Sequence, residues 1–253
     1  MSQVDLARLL GWGEATISRY ESKAIQDEAY DIMLRLIKDN PLKALELLKK
    51  NSDKFSKDKI DGIRERIVKK LDSYGKEFLT RQAFESEYVG FDEPSDSNGY
   101  VTLNVDKLEA VISYLAEYMS NLYKVKLMKC LWYSDVLAYI RTGKAMTGLV
   151  YRHEAMGALP IGHYSLMNLE NLNIKEELSY TYDSMLHVYP SRNADYSILS
   201  NEEKEVLDKV IQKFKNFKAS EIVDYIHDER AYKETSNGTI IPFSLAKEIR
   251  SFE

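Results

Sequence analysis

The chain has 253 residues, 44% hydrophobic and 30% charged, with a net charge of −5. That length suits a small module followed by a larger domain, and the acidic balance excludes a protein that coats nucleic acid through bulk charge, so any nucleic-acid contact is local. The single cysteine, Cys130, excludes an intrachain disulfide framework and a cysteine zinc cluster; no apolar run reaches the ~18 residues of a membrane span, and the amphipathic start makes the cytoplasm the expected location.

Val4, Leu6, Leu9 and Leu10 recur at helical spacing, with Ser2 placed as N-cap and Gly11 as stop. After Gly11-Trp12-Gly13, a second short helix is expected over 14–22, with Ile17 and Tyr20 on one face. A third amphipathic stretch runs from Ile25 to Ile37, and Asn40-Pro41 restarts the chain into Leu42–Leu48, closing a module at about residue 50. From Asn51 to Leu71, Ile60, Ile63, Ile67 and Leu71 mark a connecting or surface-lying helix among alternating charges.

The text FDEPSDSNG at 91–99 has turn and linker chemistry and is the expected boundary. The domain reading is therefore 1–50, a connecting helix and linker over 51–98, and a larger domain over 99–253. Within the last, 105–119 and 122–141 read as strong helices, the second ended by Gly143. The Tyr-rich stretch 177–189, LSYTYD then MLHVYP, reads as a short hairpin bounded by Pro190. Ser200 with Glu203 forms a capping box for a helix to Phe214, 219–227 follows as another, and 240–243 is an extended piece before a final helix near 244–250. The fold class is mainly α, with one small hairpin.

Two short helices around a glycine turn, SQVDLARLLGWGEATISRYES, have the geometry that lets the second helix enter a major groove. The segment resembles the Cro and repressor type helix-turn-helix, with Ser2-Gln3 opening the first helix, Ala7 at the helix crossing, Gly11 in the turn and Ile17 as the buried contact. The resemblance implies that Gln3 and Arg19 bind phosphates and that Glu14, Ala15, Thr16 and Ser18 face base edges of operator DNA, with the protein a homodimer. A packing or dimerisation module without DNA is the alternative, since residues 1–50 carry eight Lys or Arg against eight Asp or Glu. The family has a further helix before the Ser-Gln pair; its place is either lost by truncation or filled by another segment, and a poorly ordered or partner-stabilised N-terminus is expected.

A second resemblance rests on residues 123–160 and 198–232. Lys126, Lys129, Leu131, Tyr133, Asp135, Gly143, Thr147, Gly148, Tyr151 and Pro160, with His227 and Glu229, stand where the Panacea, or SocA-like antitoxin, domain has a Lys-rich helix ending in Tyr and Asp, a Thr-Gly turn and a Gly-Pro segment. Here the last departs, as Gly157-Ala158-Leu159-Pro160. Taken alone, 122–141 is a core helix, and an Asp beside its apolar stripe is more simply paired than catalytic. The resemblance implies an antitoxin that binds a co-encoded toxin protein, with Tyr151, Pro160, His163 and Tyr164 as candidate contacts; the alternatives are a prophage-associated regulator or an adaptor to a cellular protease. Tyrosines 151, 164, 180, 182, 189 and 196 suit either a partner surface or ordinary packing.

No enzyme is expected. His153, His163, His187 and His227 lack metal-ligand spacing, and the chain has no phosphate-cradling glycine loop, nucleophile elbow or HExxH text. No catalytic residue, metal, cofactor or membrane partner is assigned.

Overall fold

The computed structural model describes residues 1–22, 28–178 and 183–250. The beginning of the expected third helix, at 25–27, and the expected strand text at 179–182, with Tyr180 and Tyr182, lie outside them. The described residues are mainly helical and form two compact units, Met1–Phe78 and Leu79–Glu253.

The first unit opens with α1 (Gln3–Leu10) and α2 (Glu14–Glu21). The Ser2 hydroxyl accepts from Asp5 N, while Gly11, at φ +74°, donates its N–H to the last carbonyls of α1. Helices α3 (Glu28–Asp39), α4 (Pro41–Lys50) and α5 (Lys57–Ser86) follow. Leu9, Ala44, Leu48, Ile63 and Ile67 form the core of the unit. Ile63 and Ile67 come from the segment expected to be a connecting or surface-lying helix; their three-to-four-residue spacing forms an inward face. A second segment thus covers α1. The units divide inside α5, not in the Pro- and Gly-containing text downstream.

That text is a pinned loop of the second unit. Asn98 is fully buried; its amide donates to the carbonyls of Phe91 (3.2 Å) and Glu93 (2.9 Å), and its Oδ1 accepts from Ser95 N (2.8 Å). The Asp96 carboxylate accepts from Ser244 N at 2.8 Å, and Ala145 N donates to Gly99 O at 2.8 Å. Residues favoured in linkers are also those that hydrogen-bond locally, and here those bonds fix the loop.

In this unit α6 (Val105–Tyr118) and α7 (Lys124–Thr142) supply most of a continuous core, joined by α9 (Asn201–Phe214) and α10 (Ala219–His227), with the single-turn helices α8 (His163–Leu166) and α11 (Arg230–Lys233). The capping box at Ser200 and Glu203 is present. The described residues hold two antiparallel hairpins where one is expected. The expected one is β3 (Asn173–Leu178) with β4 (Ser184–Tyr189), its first strand starting earlier than the Tyr-rich text. The unexpected one joins β1 (Tyr151–Glu154) to β2 (Gly157–Pro160) through a turn at Ala155-Met156; four residues per strand are too few for alternation to stand out. Ile240, expected to be extended, bridges to Arg152 beside β1, and the final helical piece is a 3-10 turn at Phe243–Lys247. No helix among the described residues is long and apolar enough to cross a membrane.

Gly148 sits at φ +78°, and a Cβ there would lie 2.4 Å from the Thr102 carbonyl oxygen. Gly143 is also left-handed, at φ +76°, but faces open space. Gly148→Ala is expected to destabilise by more than about 2 kcal/mol, through clash added to backbone strain, and Gly143→Ala by only about 1 kcal/mol, when both are measured by chemical denaturation.

Candidate functional site

The second unit is organised around a buried carboxylate on α7. Asp135 has no solvent exposure. Its Oδ1 accepts from Met146 N at 2.8 Å and Thr147 N at 2.7 Å, and its Oδ2 from the Thr147 hydroxyl and the Tyr151 hydroxyl, each at 2.6 Å. Burial raises the carboxyl above the usual carboxylate range, and the hydrogen bonds pull it back toward the ionised form. Burial and that carboxylate hold the Tyr151 hydroxyl well above its ordinary value, so it stays a donor. Gly148 then lets the chain pass beneath Thr102, so the Thr-Gly turn and the tyrosine after it are one device closing on Asp135.

Two lysines of α7 are also structural. Lys126 and Lys129 are buried, and each donates to a backbone carbonyl, of Lys215 and Ala158 respectively, at 2.9 Å. Burial pushes the Lys129 ammonium down to about 7. Gly157 makes room for it; a Cβ there would stand 2.4 Å from Ile226 Cγ2 and 3.2 Å from Lys129 Cε. Tyr133 donates to the buried Glu229 carboxylate at 3.0 Å, and Arg250 N donates to its other oxygen at 3.1 Å. The sequence text around Glu229 reads as a polar helix end; only the fold buries it. His227 lies at the same end of α10, its ring stacked on Tyr232 at 4.6 Å, while His153 stacks on Tyr232 at 3.8 Å. His227 Nε2 is buried with no hydrogen-bond partner among the described residues.

Cys130 is fully buried, and burial pushes its thiol up to about 12, which disfavours the thiolate at neutral pH. The described residues contain no cluster of three or more His, Cys, Asp or Glu that could hold a metal ion.

Of the four candidate partner contacts, two are corrected. Tyr151 is fully buried and committed to Asp135, and Pro160 is buried at the end of β2. His163 and Tyr164 stand on α8 beside a cleft of about 240 Å³ that also includes Glu87, Arg152 and Glu154. Tyr164 is 72% exposed, with Lys124 Nζ 3.8 Å from its ring centre and the His163 ring at 4.2 Å. Arg152 is exposed and forms no ion pair among the described residues, and Met156 is 51% exposed at the tip of the β1–β2 hairpin. Sequence reasoning did not single out Arg152 or Met156; a methionine just before a glycine is the only local sign of a hairpin tip. The other described tyrosines of the set are bonded, Tyr189 to Glu177 at 2.5 Å and Tyr196 to Glu117 at 2.7 Å.

In the first unit Ala7 and Ile17 are buried where the two helices cross. Thr16 is also buried, which corrects its expected place on the base-reading face: it lies beside Ile17 and turns with it toward the interior. Gln3 donates to Glu21, and Glu14 pairs with Arg8 at 2.6 Å, so both are engaged within the module. Ala15, Ser18 and Arg19 remain exposed on α2.

Residues 127–233 match the model of the family described as antitoxin SocA-like, Panacea domain. The matched stretch runs from the first turns of α7 to the end of α11 and contains the Asp135 network, Lys129 and Glu229. The match covers less than half of the chain and does not reach the first unit. No curated protein and no solved structure matches the chain.

Lys129 gives a signed pH test. The unfolded chain keeps this proton up to about 10.5, whereas the folded protein releases it at about 7, so stability rises with pH between them. From pH 7 to 8, below the range where the unfolded thiol of Cys130 and the unfolded tyrosines begin to ionise and act in the opposite direction, resistance to urea should climb by up to about 1.4 kcal/mol per pH unit from this group. Lys129→Met should flatten that climb.

Proposed function

We propose that this protein is an antitoxin whose Panacea domain binds a co-encoded toxin protein and blocks it by covering its active surface, while the N-terminal module, as a homodimer, represses the operon. The observation that carries the reading is the family match over residues 127–233. The geometry is compatible with it: the buried groups of α7 are used internally, whereas Tyr164, His163, Arg152 and Met156 are left outward on short elements that the Asp135 network and the β1–β2 pairing hold in place. A fixed aromatic beside an unpaired arginine is the residue combination that anchors protein interfaces, and rigidity lowers the ordering cost of binding.

Co-expression with the neighbouring gene decides it. Growth should be rescued by the wild-type chain and lost with the pair Tyr164→Ala and Arg152→Glu, while the folded content of the variant stays unchanged by circular dichroism. Absence of both rescue and complex would refute neutralisation, and a fall in the partner's level, not in its activity alone, would favour the protease-adaptor reading.

Operator binding is tested separately. Arg19→Ala should weaken binding to all sequences and reduce its salt dependence, and Ser18→Ala should alter sequence preference, both read by titration of operator and unrelated DNA at fixed salt. If neither substitution changes binding, α2 is not the reading helix.

A further inference from the structure

Helix α3 is amphipathic, yet none of residues 28–38 is fully buried. Its inner side is already in use: Tyr30 sets its ring edge against Trp12 at 4.5 Å and Tyr20 at 5.7 Å, and Ile37 packs on the Leu9 core. A turn of 100° per residue places Ile32 and Leu36 on the other side, one turn apart, where they are 59% and 41% exposed. Leu42, just past the end of the helix, is 56% exposed. Large aliphatic side chains grouped in this way on a soluble surface mark an interface.

The charges beside this stripe identify its occupant. Asp31 and Arg35 form the adjacent row, also one turn apart, and pair within the helix at 2.6 Å while keeping substantial exposure. Acid precedes base along the chain. If a second α3 is laid antiparallel about a two-fold axis, Ile32 comes level with the partner subunit's Leu36, and Leu36 with the partner subunit's Ile32. In the same register Asp31 meets the partner subunit's Arg35, on the flank that two-fold symmetry brings together. The two intrahelical pairs then close into a ring of four alternating charges. An unrelated partner would need its own matched row; a second copy has it automatically.

We propose that α3 is the interface through which two copies of this chain associate, with Ile32 and Leu36 at its centre and Asp31 with Arg35 setting the antiparallel direction. The assignment rests on the dimeric reading of the first unit and supplies its surface. A contact confined largely to a 12-residue helix is small for a specific interface, so the dimer depends on concentration.

The test is the mass of the full chain in solution, by sedimentation or light scattering across a concentration series, with circular dichroism as the check on folding. The wild type should pass from monomer to dimer. Ile32→Glu and Leu36→Glu should each raise the dissociation constant at least about tenfold, by placing a charge in the apolar contact. Asp31→Arg alone, or Arg35→Asp alone, should weaken association by facing like charges, and the double variant should recover it, since the exchange rebuilds both the intrahelical and the intermolecular pairs. A chain monomeric at every concentration overturns the proposal, as does a dimer indifferent to Ile32→Glu and Leu36→Glu. A dimer that follows these variants but binds no operator leaves the α3 assignment standing and removes only the DNA reading.

Discussion

One buried carboxylate fixes the local geometry of the second unit. Asp135 leaves water completely, and an ion so placed is tolerated only when its lone pairs are filled. Four short hydrogen bonds fill them, two from backbone N–H groups and two from side-chain hydroxyls. Because the donors come from residues 146–151, satisfying the carboxylate fixes the path of the chain as it leaves α7, the left-handed Gly148, and the point where β1 begins. The hairpin and α8 then have defined places, and the exposed Tyr164 sits on that short helix.

The same logic governs the other buried charges. Lys126, Lys129 and Glu229 are each withdrawn from solvent and each given a partner, the lysines by carbonyl oxygens and the glutamate by a hydroxyl and a backbone N–H. Carbonyls make weaker partners for an ammonium than carboxylates do, which is why burial lowers Lys129 so far. Residues that stand at the family's motif positions along the chain are therefore fastenings of the fold.

In the first unit the side chains at either end of the two-helix motif satisfy one another. Gln3 and Arg8 of α1 are engaged by Glu21 and Glu14 of α2, a local neutralisation consistent with the balanced charge of residues 1–50. What stays free on α2 is a short row of Ala15, Ser18 and Arg19, while the larger unpartnered surface is the aliphatic stripe of α3.

The sequence by itself determined whatever is encoded within a turn or two of chain. The limits of α6 and α7, the Ser2 and Ser200 caps and the Gly11 and Gly143 stops depend on neighbours three or four residues away, and all were legible. A paired role for Asp135 followed from the cost of burying an ion. Only the tertiary structure decided the rest: Ile63 and Ile67 close a core, 91–99 is a pinned loop, Tyr151 and Thr16 turn inward, and a hairpin of four-residue strands exists at all. The reason is distance along the chain. Turn-forming residues look alike whether their hydrogen bonds end in water or in a loop packed against residues 145 and 243–244, and a tyrosine looks alike whether it faces solvent or an aspartate sixteen residues before it.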